Sequence, residues 1–481
     1  MRVLLQSPLP RGAETAQSPR LRKSRRAAAF LCVLGAPLGL AALTTGFQSH
    51  SWWLVAAVPI GLYFVYALGI VGFFPARSAT PAVPQADISE TNLQASTPPR
   101  KSRGDPDWLL LVRGLACGLV YVMHTGIAFH HDFTFSHRPW AWIVQSPAWL
   151  GMALFFTLSG YLMGKGFYTR KYDLSRSGVT LYLRNRFLRI YPLMFAVALM
   201  AVTWQAPQMF STPQVDVKLA LFGYNSTDGT ETVGAFWSLS TEWQYYLLVP
   251  VCYVIALGAP RLLRSNPKWM LPLATLLVLG VGISVRLYMW AHHGLIAGWA
   301  PYIYLNLFGN IDIFLLGFLA NWWVPRLSRH ARFLRPGWPV LLVAIYLAYS
   351  FISYEVMTSG SLQASLRWWP VFALLLPGMT ALALIPVLVG CEVSNQHTRK
   401  RDVPRRRTAF VLFWVGALTY PVYLVHSSVL DAVSHGLPHA NYAVKWLIGT
   451  AVVVLIAWIL HMTVERAALE WRKSHTARPD V

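Results

Sequence analysis

Long apolar segments alternate with short polar ones along most of the chain. Twelve of the apolar segments are long enough to cross about 30 Å of hydrocarbon as α-helices. They span 27–48, 52–74, 108–129, 146–167, 189–206, 236–258, 269–291, 300–323, 336–353, 369–390, 409–430 and 441–464. The pattern predicts an all-α fold, a polytopic transmembrane helical bundle of about twelve helices.

The twelve segments fall into two groups. A basic tail at 1–26 leads into a transmembrane hairpin at 27–74, and a ten-helix domain follows at 108–465. Residues 75–107 between them are rich in Pro, Ser, Thr and Ala, so they cannot bury enough apolar surface to fold and are predicted to be a disordered cytoplasmic linker. Residues 466–481 form a second cytoplasmic tail.

The basic residues support this helix count. If the first tail is cytoplasmic and the loops alternate, 33 of the 41 Lys and Arg residues fall in cytoplasmic segments, and only Arg138, Lys218 and Arg367 fall in outer loops. This asymmetry is the positive-inside pattern, and one helix more or fewer would destroy it. We therefore expect a multi-pass protein of the cell (inner or plasma) membrane with both termini cytoplasmic.

The composition also favours a membrane protein. Only 12% of the residues are charged, against about 25% in soluble domains. The net charge of +22 fits basic loops that face anionic lipid headgroups. No basic soluble domain is evident, so nucleic acid is not an expected partner. The four cysteines are far apart, which favours neither a disulfide framework nor a metal site, and the excess of Arg over Lys is typical of GC-rich bacterial genomes.

Two ionisable residues lie within the third apolar segment. Arg113 and His124 are eleven residues apart, which places them on one helix face about 16 Å from each other. A charge inside a membrane helix costs several kcal/mol, so such residues usually face a cavity or a partner. A snorkelling arginine and a satisfied core histidine are the ordinary alternative.

Four further segments carry polar residues inside predicted helices. They are FFTLSGY from Phe155, RNRFLRIYP from Arg184, FWSLSTEWQYYLLVP from Phe236 and YPVYLVH from Tyr420. Each has an ordinary structural explanation. Close packing of helices accounts for the Ser-Gly pair in FFTLSGY. Arginines are common at the cytoplasmic ends of membrane helices, and aromatic residues are common at the membrane interface. An intramembrane glutamate such as Glu242 is expensive, however, and is a functional candidate.

The predicted topology separates the ionisable groups by depth. One set lies near the outer ends of four helices: His124, Glu242, Arg286 and His426. A second set lies near the cytoplasmic face: Arg113, Arg186 and Arg189. Planar guanidinium groups suit bidentate phosphate binding. We therefore expect anion binding at the inner surface and an acceptor cavity lined by the outer set.

Taken together, the segments resemble the membrane acyltransferase-3 family. The matching elements are R-x10-H, FFxLSGY, RxxRIYP, WSLSxE and YPVYLVH, and the resemblance covers about 108–465. It implies an integral membrane O-acyltransferase that transfers an acyl group, most often acetyl, from cytoplasmic acyl-CoA to a hydroxyl. The implied acceptors are envelope glycans, glycolipids and macrolide sugars. Acyl-CoA would be a co-substrate, with no permanently bound cofactor.

The resemblance implies that His124 is the catalytic histidine and that Arg113, Arg186 and Arg189 belong to the donor-binding and catalytic motifs. Combined with the chemistry and the predicted topology of the segments, it leads to three predicted sets of residues. The catalytic set is His124, Glu242 and Arg113. The set assigned to the acyl donor is Arg186, Arg189, Ser159 and Tyr161. The set assigned to the acceptor is Trp237, Ser238, Arg286 and His426.

The chemistry of acyl transfer fits these residues. An attacking hydroxyl must lose its proton, and neutral imidazole, with a pKa near 6.5, is a suitable general base. Glu242 is expected to orient His124 or to stabilise its charged form. A covalent acyl-histidine and a Ser159 nucleophile remain as variants. The alternative function is a secondary transporter or flippase of a lipid-linked or glycosylated substrate, which would predict two similar halves.

The charge asymmetry yields a test of topology. Single cysteines at Ser96 and Ser226 are probed on intact cells with an impermeant thiol reagent. We expect labelling at position 226 and none at position 96, because the first lies in an outer loop and the second in the cytoplasmic linker. The reverse pattern would overturn the orientation.

Overall fold

The structure is a computed structural model that describes residues 107–130, 140–204, 235–263, 267–294, 299–358, 368–400 and 406–469. The predicted hairpin at 27–74, almost all of the linker and most of the C-terminal tail lie outside the described residues. No strand occurs in the part of the chain that is described.

Ten long helices make up most of the described chain. They are α1 (Trp108–Ala128), α2 (Ala148–Tyr168), α3 (Arg176–Trp204), α4 (Phe236–Leu263), α5 (Pro267–His293), α6 (Leu307–Leu327), α7 (Ala331–Thr358), α8 (Leu376–Lys400), α9 (Arg406–Gly436) and α10 (Tyr442–Leu460). Shorter pieces are an α-helical turn at Ala141–Val144, a 3₁₀ turn at Ser328–His330, and π-helical turns at Trp299–Tyr304, Val371–Leu375 and His461–Glu465.

These helices confirm the predicted all-α membrane bundle. Each corresponds to one of the ten segments predicted between 108 and 465, and seven stretches of the described chain are long and apolar enough to cross a membrane. One stretch, Tyr302–Thr358, contains both α6 and α7, because only the 3₁₀ turn separates them. The largest difference is α3, which begins at Arg176 rather than 189. Charged residues lower the hydropathy there, but arginine is a good helix former.

Polar side chains define where several helices begin. The Asp107 carboxylate accepts from the Leu109 N–H at the start of α1. Asn306 and Asn441 accept from Phe308 and Val444 in the same way at the starts of α6 and α10. These caps satisfy amide groups that have no partner within the helix.

The most enclosed of these helices is α2, which packs against α1, α4, α6 and α8. Its contact with α6 is backbone to backbone. A Cβ atom on Gly160 would come within 2.0 Å of the Phe314 carbonyl oxygen, and one on Gly317 would come within 2.1 Å of the Thr157 carbonyl oxygen. The Ser-Gly pair of FFTLSGY therefore does permit close helix approach, as small residues do in membrane bundles.

A fully buried ion pair joins α5 to α6. Arg286 donates two hydrogen bonds of 2.8 Å to the Asp312 carboxylate, and both side chains are 0% exposed. It also donates to the carbonyl oxygens of Leu374 and Gly309, at 2.9 Å each. The predicted place of Arg286 in an acceptor cavity has no support from this geometry, because its guanidinium is already occupied within the helix packing.

Removing only one partner of this ion pair should cause a large loss of stability. Arg286→Ala leaves the Asp312 carboxylate buried and unpaired, which costs about 3–5 kcal/mol. We expect a clearly lower thermal unfolding midpoint for the purified variant in detergent. The double variant Arg286→Met with Asp312→Leu removes both charges and should recover most of the loss. Wild-type stability of Arg286→Ala would contradict the structural role.

Candidate active site

A cavity between α1, α2, α3, α4 and α9 collects most of the candidate residues. The space between its walls is about 800 Å³, part of which is open to solvent. The charged groups of its wall are Arg113, Arg186, Arg189 and Glu242. Its hydroxyl-bearing groups are Ser159, Ser238, Tyr246, Thr419, Tyr420 and Tyr423. Apolar side chains such as Phe155 and Leu239 complete the wall, so cations and hydroxyls face a largely apolar chamber.

Glu242 lies among the hydroxyls and arginines of this cavity. The Ser159 hydroxyl and the Tyr246 hydroxyl both donate to Oε1 of its carboxylate. Arg113 interacts electrostatically with the same carboxylate. Tyr246 lies four residues after Glu242, on the same helix face. On this side of the cavity, the Glu242 carboxylate therefore accepts two hydrogen bonds from hydroxyls and interacts with the Arg113 guanidinium.

The two arginines of α3 contribute to one wall, as their three-residue spacing predicted. Arg186 interacts with the hydroxyl of Tyr172, and its buried Nε has no hydrogen-bond partner among the described residues. Arg189 donates to the Glu465 carboxylate, and its guanidinium lies 5.5 Å from the centre of the Tyr420 ring. Three arginines against one carboxylate in the wall give the cavity a net positive charge.

Two histidines pack against each other farther along α1 and α9. The rings of His124 and His426 meet edge to face, with centroids 4.8 Å apart. The Nδ1 of His124 lies 2.8 Å from the Val120 carbonyl oxygen, and that of His426 lies 2.7 Å from the Tyr423 carbonyl oxygen. Because a carbonyl only accepts, each neutral ring carries its hydrogen on Nδ1 and leaves a lone pair on Nε2.

Tyr423 connects the histidine pair to the cavity. Its ring lines the cavity and lies 5.7 Å from the His426 ring. Its hydroxyl is 2.6 Å from the Ser238 hydroxyl, another member of the cavity wall. The Nε2 of His426 is buried without a hydrogen-bond partner in the described part of the chain. Tyr423 therefore contacts both the cavity and the histidine pair.

The structure brings together two of the four residues that were predicted to form one outer set. Only His124 and His426 lie together, since Glu242 lines the arginine cavity and Arg286 pairs with Asp312. The hydrogen bond on His124 Nδ1 goes to the Val120 carbonyl, so Glu242 is not what orients the ring.

Two other candidates lie apart from the cavity wall. The Tyr161 hydroxyl donates to Glu392 at 2.9 Å, and Lys165 pairs with the same carboxylate. Trp237 packs against Tyr304, with ring centroids 4.7 Å apart. Both contacts are typical of packing between helices. Their predicted roles in donor and acceptor binding have no support from this geometry.

The sequence reasoning missed four residues around the cavity. Tyr420 and Tyr423 are three residues apart within YPVYLVH, and Tyr246 follows Glu242 by four, so helical spacing could have found these three. Glu465 had no such signal, because 276 residues separate it from Arg189.

Most of the chain matches a known protein family. A family model described as an acyltransferase domain matches residues 107–462, about three quarters of the chain. The chain belongs to this acyltransferase-3 family. No match was found among curated proteins or among solved structures. The protein is therefore a membrane acyltransferase, and the matched residues contain both the arginine cavity and the histidine pair.

The contact between Ser159 and Glu242 predicts the outcome of one substitution. If Ser159 only holds the carboxylate, Ser159→Ala removes a single hydrogen bond to a charged group and slows acyl transfer by at most about 100-fold. The measurement is the acyl-transfer rate of the purified variant. Complete loss of transfer, together with an acyl group trapped on Ser159 of the wild-type protein by mass spectrometry, would instead establish a serine nucleophile.

Proposed function

We propose that the protein transfers an acetyl group from cytoplasmic acyl-CoA to a hydroxyl of a carbohydrate-containing acceptor. The proposal rests on two neighbouring sites that Tyr423 contacts. One is a cavity with three arginines, and the other is a pair of histidines with free Nε2 lone pairs. An acyl-CoA has an anionic nucleotide and a distant thioester, and it needs one site of each kind.

The arginine cavity is the site proposed for the anionic part of the donor. Guanidinium groups bind phosphate oxygens through paired, charge-assisted hydrogen bonds. Arg186 keeps a buried Nε without a partner in the described chain, and such a donor is costly unless a ligand satisfies it. Apolar side chains in the same wall lower the local dielectric constant, which strengthens the attraction between cations and phosphates.

His124 is the proposed general base. Its Nδ1–H is held by the Val120 carbonyl, so the ring is fixed in the tautomer whose Nε2 accepts a proton. Eleven residues of α1 separate it from Arg113, about 16 Å along the helix. The pantetheine arm of an acyl-CoA bound at the arginines would extend along this distance and bring the thioester towards the histidines.

The reaction follows from these positions. The acceptor hydroxyl oxygen attacks the thioester carbonyl carbon, and its proton passes to Nε2 of His124. The carbon–sulfur bond then breaks, the acetyl group remains on the acceptor oxygen, and the thiolate of coenzyme A takes the proton back from the imidazolium. Because both histidines lie towards the end of α1 that is predicted to face outwards, we infer that the acceptor enters from that side.

Envelope glycans and glycolipids are the acceptor class that this direction favours, with a macrolide sugar as the cytoplasmic alternative. Sealed, oriented vesicles given labelled acetyl-CoA on the cytoplasmic side distinguish the two by the side on which labelled product accumulates. Membership of an acyltransferase family argues against the transporter or flippase alternative.

The role of His124 is tested directly by substitution. General-base catalysis contributes about 10²- to 10⁴-fold, so His124→Ala should lower the transfer rate at least about 100-fold while coenzyme A still binds. His435, an exposed histidine of α9, provides the matched control, and His435→Ala should transfer at the wild-type rate. Purified proteins in nanodiscs are assayed with labelled acetyl-CoA. A His124→Ala protein with more than a few per cent of wild-type turnover would exclude the general-base role.

A further inference from the structure

Arg189 has a second layer of contacts behind the cavity. One carboxylate oxygen of Glu465 accepts from Arg189, and the other lies 2.8 Å from Nδ1 of His461. A carboxylate only accepts, so His461 Nδ1 carries the hydrogen. Both oxygens of Glu465 are thus engaged by different partners, which fixes the plane of the carboxylate.

The end of α10 is shaped to make these contacts. The helix changes to a π-helical turn at His461–Glu465, and this turn packs against α3 and α9. The side chains of His461 and Glu465 are 9% and 3% exposed, and the His461 ring also meets the Trp414 ring edge to face. Single π-helical turns inside α-helices are rare and frequent at functional sites.

Arg189 is held from two directions as a result. The Tyr420 ring covers one face of its guanidinium, and Tyr420 is itself fixed by a 2.7 Å hydrogen bond to the Ile190 carbonyl oxygen. Glu465 does not line the cavity, whereas Arg189 does. Glu465 contacts the cavity wall through its hydrogen bond to Arg189, and it also interacts electrostatically with Arg113.

The energetics favour a positioning function for these contacts. A buried ion pair is weak evidence for stability, since its desolvation penalty offsets much of its attraction. A fixed guanidinium, however, binds a phosphate without first losing the freedom of its own rotamers. The match to the acyltransferase family ends at residue 462, so Glu465 lies just beyond the matched residues.

We propose that Glu465 and His461 are positioning residues that hold Arg189 in the orientation in which it binds the anionic part of the acyl donor. The inference rests on the proposed function, since it assigns the Arg189 cavity to acyl-CoA. Neither residue touches the substrate. Their removal changes donor affinity rather than the proton transfer at His124.

Binding of coenzyme A to the purified full-length protein in nanodiscs measures the effect. Glu465→Ala and His461→Leu should each weaken binding by about tenfold, the usual contribution of one oriented charge-assisted hydrogen bond. His461→Asn retains an N–H donor and should restore near wild-type affinity. Asp431 and His435 form a similar pair at the exposed end of α9, and Asp431→Asn and His435→Asn should leave binding unchanged.

A second readout needs no ligand. Phenylglyoxal modification of Arg189, followed by peptide mass spectrometry, should be faster in Glu465→Ala and His461→Leu than in the wild-type protein. Folded variants with unchanged coenzyme A affinity and unchanged modification rate would overturn the positioning role. A different result is a wild-type protein that does not bind coenzyme A but whose Arg189 is protected by Glu465 from modification. It would overturn the assignment of the cavity to acyl-CoA, while Glu465 and His461 would still be shown to hold Arg189.

Discussion

A charged side chain inside an apolar helical bundle must be paired or must face a polar space. The arrangement of this protein depends on how each buried charge meets that requirement. Arg286 meets it completely through Asp312 and two carbonyl oxygens, which makes it part of the scaffold. Arg113, Arg186 and Arg189 share a cavity wall with the carboxylate of Glu242, and only Arg189 has a second carboxylate, Glu465, behind it. This excess of positive charge distinguishes a binding site from helix packing.

The same constraint gives the cavity its internal order. Glu242 is held by Ser159 and Tyr246, and Arg189 is held by Glu465, so the charged groups keep their places without a ligand. Sites with fixed dipoles and charges bind and stabilise charged groups without a reorganisation cost. The histidine pair adds the complementary property of uncharged nitrogen lone pairs. The proposed donor path runs from the arginines past Tyr423 to His124.

Much of this could be predicted from hydropathy and spacing, but not the relations between helices. The ten core helices follow from apolar segment length, and the shared wall of Arg186 and Arg189 follows from a three-residue spacing on one helix. The placement of Glu242 and Arg286 did not follow, because it depends on contacts between different helices, such as Ser159 with Glu242 and Arg286 with Asp312. Asp312 and Glu465, the partners that decide the roles of Arg286 and Arg189, lie 26 and 276 residues away in sequence.

The central claim is that one donor molecule spans the arginine cavity and the histidine pair. An experimental structure of the full-length protein with a thioether analogue of acetyl-CoA, which cannot transfer its acyl group, tests it most directly. We expect phosphate oxygens within about 3 Å of the Arg186 and Arg189 guanidinium groups. The acetyl end should lie beside Nε2 of His124. A nucleotide bound away from these arginines, or an acetyl end that points away from His124, would contradict it.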